Sequence, residues 1–105
     1  MRIVFKKEYL RELYEDGKAH EKRYRFQPHI IKRYQLRIEA LEDAKDVNDL
    51  MRLKSLRYET LKGDKAGLCS IRVNDQYRIE FSVEQIESDT VVTICNIWEL
   101  SNHYK

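Results

Sequence analysis

The sequence is poor in the residues that build metal centres and disulfide frameworks. It contains only two cysteines and three histidines, and the histidines are scattered without the spacing of metal ligands, at His20, His29 and His103. Cys69 and Cys95 each lie within an apolar, strand-like run, which favours small buried thiols over a disulfide. The sequence therefore gives a zinc site almost no support, and no cofactor is implied.

Long apolar runs are also missing. No run approaches the roughly 20 residues that a bilayer-crossing helix needs, and the N-terminus lacks the apolar segment of a secretory signal. Charged residues make up 36% of the chain and hydrophobic residues 42%, which is typical of a globular protein with a heavily charged surface. A chain of 105 residues suffices for one compact domain. We expect a single cytoplasmic domain over residues 1–105, with no membrane partner.

Lysine and arginine are absent from residues 79–104. By contrast, residues 52–78 carry seven cations against three carboxylates. The seven cations are Arg52, Lys54, Arg57, Lys62, Lys65, Arg72 and Arg78. The net charge of the whole chain, +2, is too small to indicate a partner. The local excess of positive charge is what a groove for a polyanion needs.

The spacing of apolar residues, together with glycine and proline at the helix ends, predicts the helices. Residues 2–5 are β-prone, and the amphipathic helix that follows them ends before Gly17, which is suited to a helix C-terminus. Pro28 is well placed as the first residue of a second helix, which we expect to end near residues 44–46. Residues 49–56 are predicted to form a short helical turn.

Strand-like alternation dominates the second half of the chain. We predict strands over residues 68–73, 77–83 and 90–97, with an acidic connection over residues 84–89. A strand, two helices and then a series of antiparallel strands indicate an α+β protein. The helices are expected to pack on one side of a small twisted antiparallel sheet.

Residues 61–81, reading LKGDKAGLCSIRVNDQYRIEF, predict a β-hairpin that presents arginines. Two alternating runs flank a turn at residues 74–76, and their apolar positions are Cys69, Ile71, Val73, Tyr77, Ile79, Phe81 and Val83. Arg72 and Arg78 fall on the opposite face. If the hairpin buries its apolar side, both guanidinium groups project together from the other, near Lys62 and Lys65 in the loop before it.

The same segment resembles the HigB toxins of the RelE superfamily, which are bacterial mRNA interferases. The resemblance lies in residues 61–64, Gly67 and residues 70–79. It implies a RelE-like fold over the whole chain and a metal-independent endoribonuclease that cleaves mRNA in the ribosomal A site. It also implies a cognate HigA-like antitoxin bearing a helix-turn-helix.

Cleavage of RNA without a metal requires a positioned 2′-hydroxyl, a proton acceptor, and a cation and an acid for the phosphate and the leaving oxygen. Arginine suits the phosphate role because its planar fork pairs with phosphate oxygens and stays charged. Arg72 and Arg78 are the candidates, and the resemblance assigns a catalytic arginine to Arg78 and a role in toxicity to Lys62. The alternatives are that both arginines only solvate the hairpin and that Lys62 is an ordinary loop lysine.

Four more cations are candidates for binding the RNA backbone: Lys65, Arg52, Lys54 and Arg57. Some of them are expected only to face solvent. Tyr58 and Tyr77 are candidates for stacking on bases, although Tyr77 shares the apolar face of its strand and is better interpreted as a core residue.

The C-terminus departs from the HigB pattern. HigB proteins commonly end in Asp-Tyr-His, whereas here residues 98–101 occupy that place and a reversed pair, His103 and Tyr104, comes later. Histidine and tyrosine can transfer protons, so both remain catalytic candidates beside the alternative of a frayed tail. Two other functions stay open on these grounds: a non-catalytic RNA- or ribosome-binding module, and a domain that binds an acidic protein.

Overall fold

A short strand and three helices make up the first half of the chain in the computed structural model, which describes residues 1–102. They are β1 (Arg2–Phe5), α1 (Glu8–Glu15), α2 (Pro28–Asp43) and α3 (Val47–Arg52). The local signals act as predicted: Gly17 follows α1 with a φ of 74°, and Pro28 is the first residue of α2. No helix within residues 1–102 is long and apolar enough to cross a bilayer.

The second half supplies most of a five-stranded sheet. Its strands are β2 (Glu59–Thr60), β3 (Cys69–Arg72), β4 (Tyr77–Glu87) and β5 (Val91–Asn102). The spatial order is β1-β5-β4-β3-β2, and β1 runs parallel to β5 while the other neighbours are antiparallel. The α+β prediction is confirmed, but the sheet is mixed rather than wholly antiparallel. The long connection between β1 and β5 contains the helices, which makes a parallel crossover possible.

The acidic segment of residues 84–89 was predicted to be a connection, and that prediction is wrong. β4 continues to Glu87 and pairs with the start of β5, where Ile86 lies opposite Val92. The pairing of β4 with β3 stops at Phe81. Beyond that point β4 and β5 remain paired with each other and project from the sheet as a hairpin arm. Side chains on such an arm face solvent on both sides, and the apolar alternation that marks a half-buried strand is therefore lost.

The core lies between the helices and one face of the sheet. Every apolar residue predicted for the buried face of the hairpin belongs to it or packs against it, and Ile71, Ile79 and Phe81 are fully buried. From the helices, Tyr34 is fully buried and its hydroxyl donates a hydrogen bond of 2.7 Å to the carbonyl of Leu10. The helices and the hairpin thus leave the opposite face of the sheet available for polar side chains.

Both thiols are free, as predicted. Cys95 is expected to make the free energy of unfolding fall as pH rises into the alkaline range. Burial raises the pKa of Cys95 to about 12, from an ordinary value of 9.0. Because the unfolded thiol releases its proton first, the contribution of Cys95 to stability is complete below pH 9.0 and is lost as pH rises toward 12. We expect the unfolding free energy of Cys95→Ala to fall less steeply with pH than that of the wild type. The difference in slope is up to about 1.4 kcal/mol per pH unit.

The measurement is urea unfolding at several pH values from about 8 to about 10.5, under a reducing agent. Cys69→Ala is the matched control, since it removes the other, less buried thiol. An unchanged slope in Cys95→Ala would show that this thiol does not carry the alkaline effect.

Candidate functional site

The β3–β4 hairpin presents polar side chains on the face of the sheet away from the core. Arg72 lies directly opposite Arg78, and Ser70 lies opposite Glu80. Directly paired residues share a face, so the four side chains lie together. Next to them is a cleft of about 210 Å³. The cleft is lined by Glu59, Leu61, Lys65, Ser70, Arg78, Glu80, Ser101 and Asn102.

Arg78 is held firmly in the wall of this cleft. Its Nε donates to Ser70 Oγ at 2.9 Å, and its Nη2 donates to the carbonyl oxygen of Arg57 at 2.7 Å. The same Nη2 lies 3.3 Å from Glu59 Oε1. Arg57 offers its carbonyl from a left-handed turn with a φ of 47°. With two strands and this turn fixing it, the guanidinium group is preorganised before any ligand arrives.

A second ion pair stands beside the first. Lys65 Nζ lies 2.6 Å from Glu80 Oε2, and Ser101 Oγ donates to the same carboxylate oxygen at 3.0 Å. The side chain of Glu80 is only 9% exposed, whereas that of Lys65 is 52% exposed. The buried carboxylate therefore fixes the lysine ammonium at the edge of the cleft.

The structure corrects the expected exposure of one arginine. We expected both guanidinium groups to project from the hairpin, yet the side chain of Arg78 is only 11% exposed. It is covered because the side chain of Glu59 on β2 and the backbone of the turn at Arg57 contact its guanidinium group. Arg72 is more open, with 31% of its side chain exposed and an ion pair to Asp75 in the hairpin turn. Arg78 therefore does not merely solvate the outer face.

The other predicted cations are spread more widely. Lys62 is exposed and precedes the 3-10 turn Gly63–Lys65. Arg52 pairs with Asp49 on α3 at 2.8 Å, and neither it nor Lys54 lines the cleft. Arg57 contributes its carbonyl oxygen to Arg78. The structure thus brings Arg78 and Lys65 together in the cleft.

Two of the remaining predictions concern proton transfer and stacking. His103 and Tyr104 lie outside the described residues. Tyr77 packs edge-on against Phe26, with ring centroids 5.4 Å apart, so its interpretation as a packing residue is confirmed. Tyr58 donates to or accepts from Cys69 Sγ at 3.1 Å, and burial is the main cause of the raised pKa of its hydroxyl.

Sequence reasoning missed five polar residues of the cleft: Glu59, Ser70, Glu80, Ser101 and Asn102. Glu80 could have been found, since it lies two residues after Arg78 and therefore on the same face of the strand. Glu59 gave no such signal because β2 has only two residues. Across residues 1–102, no group of three or more His, Cys, Asp or Glu side chains is placed to share a metal ion.

Removing the lysine of the second ion pair is expected to destabilise the fold. In Lys65→Gln the nearly buried Glu80 carboxylate loses its charged partner, which we expect to cost about 1–3 kcal/mol of unfolding free energy. Urea denaturation of the variant against the wild-type protein measures this loss.

The double variant Lys65→Gln/Glu80→Gln is the control, because it removes the buried charge together with its partner. We expect it to recover most of the lost stability. If Lys65→Gln by itself changes the unfolding free energy by less than about 0.5 kcal/mol, the ion pair does not stabilise the protein.

Comparisons with known proteins agree with this architecture. Residues 3–94 match the family of HigB-like toxins, described as the RelE-like toxin of type II toxin-antitoxin system HigB. The chain is 40% identical over 82 residues to Toxin HigB-1 of Vibrio cholerae serotype O1 (strain ATCC 39315 / El Tor Inaba N16961). That alignment covers 77% of this chain and 82% of the relative.

A solved structure shows the same fold. A YoeB/ParE toxin from Agrobacterium tumefaciens superposes with a TM-score of 0.54 and 20% sequence identity, covering 99% of this chain and all of the other. The hairpin and most of the cleft fall within the matched residues 3–94, whereas Ser101 and Asn102 lie beyond them. On the family match and the 40% identity, the chain belongs to the HigB-like toxins of type II toxin–antitoxin systems.

Proposed function

We propose that this protein is a ribosome-dependent endoribonuclease that cleaves mRNA in the cytoplasm and so stops translation. The observation that carries the proposal is the placement of Arg78 and Glu59 side by side in the wall of one cleft. A fixed cation and a solvent-accessible carboxylate are two of the groups that an RNA 2′-hydroxyl needs in order to attack the adjacent phosphate. Family membership supports the same reading, since toxins of this kind act on translation.

The reaction proceeds by transesterification. The 2′-oxygen attacks the adjacent phosphorus in line, a new P–O bond forms, and the bond to the 5′-oxygen of the next nucleotide breaks. Arg78 stabilises the negative charge that develops on the non-bridging oxygens. The products are a 2′,3′-cyclic phosphate and a 5′-hydroxyl, and the proton lost by the 2′-oxygen is balanced by one gained at the 5′-oxygen.

Glu59 is the proton acceptor in this proposal. Its side chain is 52% exposed and lies against Arg78, so it can reach a hydroxyl on RNA bound there. Glu80, the other carboxylate, is nearly buried and paired with Lys65, and its part is to hold that lysine for a phosphate oxygen. We propose His103 or Tyr104, the candidates for proton transfer, as the donor for the 5′-oxygen.

Membership of a type II family implies an antitoxin partner. We propose that the partner is HigA-like, carries a helix-turn-helix and represses the shared operon together with this toxin. The remaining proposed partners are the mRNA and the ribosomal A site, and we propose that Lys62 and Arg72 contact their phosphates.

The test is to express the protein under tight induction and to map the 5′ ends of cellular mRNA on translating ribosomes. We expect new ends within translated codons soon after induction. Folded protein that associates with ribosomes but leaves the mRNA intact would contradict the proposal.

A second candidate, a non-catalytic RNA-binding module, has one observation in its favour. Both cations of the cleft, Arg78 and Lys65, are already paired with carboxylates of the protein. A module that only binds RNA would protect bound RNA from other nucleases without producing new ends, so the same mapping experiment separates the two.

A further inference from the structure

Arg37 lies near both Arg33 and Arg72, where the β3–β4 hairpin turns, and none of these three arginines lines the cleft. Arg37 on α2 donates its Nε to the carbonyl oxygen of Arg72 at 2.9 Å. Arg33 lies four residues earlier on the same helix and therefore on the same side of it. The helix thus brings Arg37 to the end of strand β3, with Arg33 next to it on the same side of the helix.

These cations repel one another. Burial, and then the positive charges of Arg33 and Arg72, lower the pKa of Arg37 below its ordinary value. Among residues 1–102, neither Arg33 nor Arg37 forms an ion pair with a carboxylate, and Arg72 is paired only with the exposed Asp75. The cations of the cleft are neutralised one by one, whereas this cluster retains an excess of positive charge.

A structural role does not account for the cluster. A neutral donor such as glutamine could satisfy the carbonyl of Arg72 without repulsion, and an exposed arginine at position 33 adds only unfavourable charge. Clustered like charges at a protein surface are stabilised by a bound counter-ion, and planar guanidinium groups are suited to the oxygens of a phosphodiester. Arg72 lies directly opposite Arg78, so an anion bound by the cluster would lie next to the cleft.

We propose that Arg33, Arg37 and Arg72 form a second phosphate-binding site, which holds the RNA backbone beside the phosphate that is cleaved. This inference rests on the proposed function, because it assumes that the cleft receives RNA. The ligand is a phosphodiester of either mRNA or ribosomal RNA. The site raises the affinity of the protein for RNA and sets the position of the RNA chain, and it takes no part in the transfer of protons.

The experiment measures binding of two probes by Arg37→Gln and Arg33→Gln, with Lys32→Gln as the matched control. Lys32 is an exposed cation of the same helix whose side chain points to a different side. One probe is a short 2′-O-methyl oligoribonucleotide, which lacks the attacking hydroxyl, and the other is ribosomes free of mRNA. Dissociation constants are measured over a series of salt concentrations.

Each arginine variant is expected to bind about five- to tenfold more weakly near physiological salt, and its slope of log Kd against log salt is expected to fall by about 0.7–1. Lys32→Gln should stay within about twofold of the wild type. A loss confined to the oligonucleotide assigns the site to mRNA, and a loss confined to ribosomes assigns it to ribosomal RNA. Arginine variants that match Lys32→Gln on both probes would overturn the proposal.

Two features keep the result interpretable. Arg33 makes no side-chain hydrogen bond within the described part of the chain, so Arg33→Gln decides the question even where Arg37→Gln fails to fold. The assay also reads binding rather than cleavage. If the wild-type protein cuts no mRNA but the arginine variants bind the probes more weakly than it does, the proposed function is rejected and this site is retained. If the variants cleave mRNA and bind the probes as tightly as the wild type, this site is rejected and the proposed function is retained.

Discussion

Arg78→Lys is expected to cleave ribosome-bound mRNA about 10³-fold more slowly than the wild-type protein, because one preorganised cation faces the developing charge and lysine cannot reproduce its fork. Lysine keeps the charge, but its single nitrogen cannot take the places of both Nε, which donates to Ser70, and Nη2, which donates to the carbonyl of Arg57. The measurement is a single-turnover assay with purified ribosomes programmed with a defined mRNA.

Arg52→Lys is the matched control for this prediction. Arg52 is an arginine of the same basic segment, but its side chain is 75% exposed and pairs only with Asp49 on its own helix. We expect the control to cleave at nearly the wild-type rate. Since Arg78 also holds β3, β4 and the turn at Arg57 together, circular dichroism and urea unfolding must show that Arg78→Lys is folded. A folded Arg78→Lys that cleaves within tenfold of the wild type would remove this arginine from the chemistry.

Glu59→Gln is expected to lower the cleavage rate about 10²–10⁴-fold, since the amide keeps the shape of the side chain but cannot accept a proton. The substitution is nearly isosteric but removes the charged partner of the nearly buried Arg78, so urea unfolding must show that Glu59→Gln is folded. Binding of the 2′-O-methyl oligonucleotide should persist, which would locate the defect in the chemical step.

Glu87→Gln, which removes a carboxylate from the exposed tip of the β4–β5 arm, is the control for Glu59→Gln. It changes the net charge by the same amount at a position remote from the paired region of β3. Equal rates for the two variants would mean that Glu59 is not the proton acceptor.

The sequence predicts the faces of the β3–β4 hairpin correctly because alternation along a strand is a local property. Ile71 and Ile79 are buried and lie opposite one another, as the pattern of every second residue requires. Gly17 and Pro28 likewise mark helix ends through backbone preferences that act within one or two residues.

The burial of Arg78 could not be predicted in this way, because it depends on what covers the other face of the hairpin. The cover comes from Arg57 and Glu59, which lie 21 and 19 positions earlier in the chain, in a left-handed turn and a two-residue strand. Neither element has a periodic pattern. Glu59 was missed for the same reason, whereas Glu80 shares a face of β4 with Arg78.

The cluster of Arg33, Arg37 and Arg72 joins a helix to a strand end 35 residues away from Arg37. Helical spacing alone indicates that Arg33 and Arg37 share a side of α2, and it says nothing of where that side lies. The tertiary packing of α2 brings Arg37 to Arg72. Such long-range proximity is the part of the site that only the fold supplies.

The most direct test of the central claim is the chemistry of the product ends. Purified protein is mixed with ribosomes holding a defined mRNA, and the 3′ end of the upstream fragment is analysed by mass spectrometry. We predict a 2′,3′-cyclic phosphate there, a 5′-hydroxyl on the downstream fragment, and no cleavage when the nucleotide before the cut carries 2′-deoxyribose. Intact mRNA, or cleavage that survives the 2′-deoxy substitution, would contradict the account.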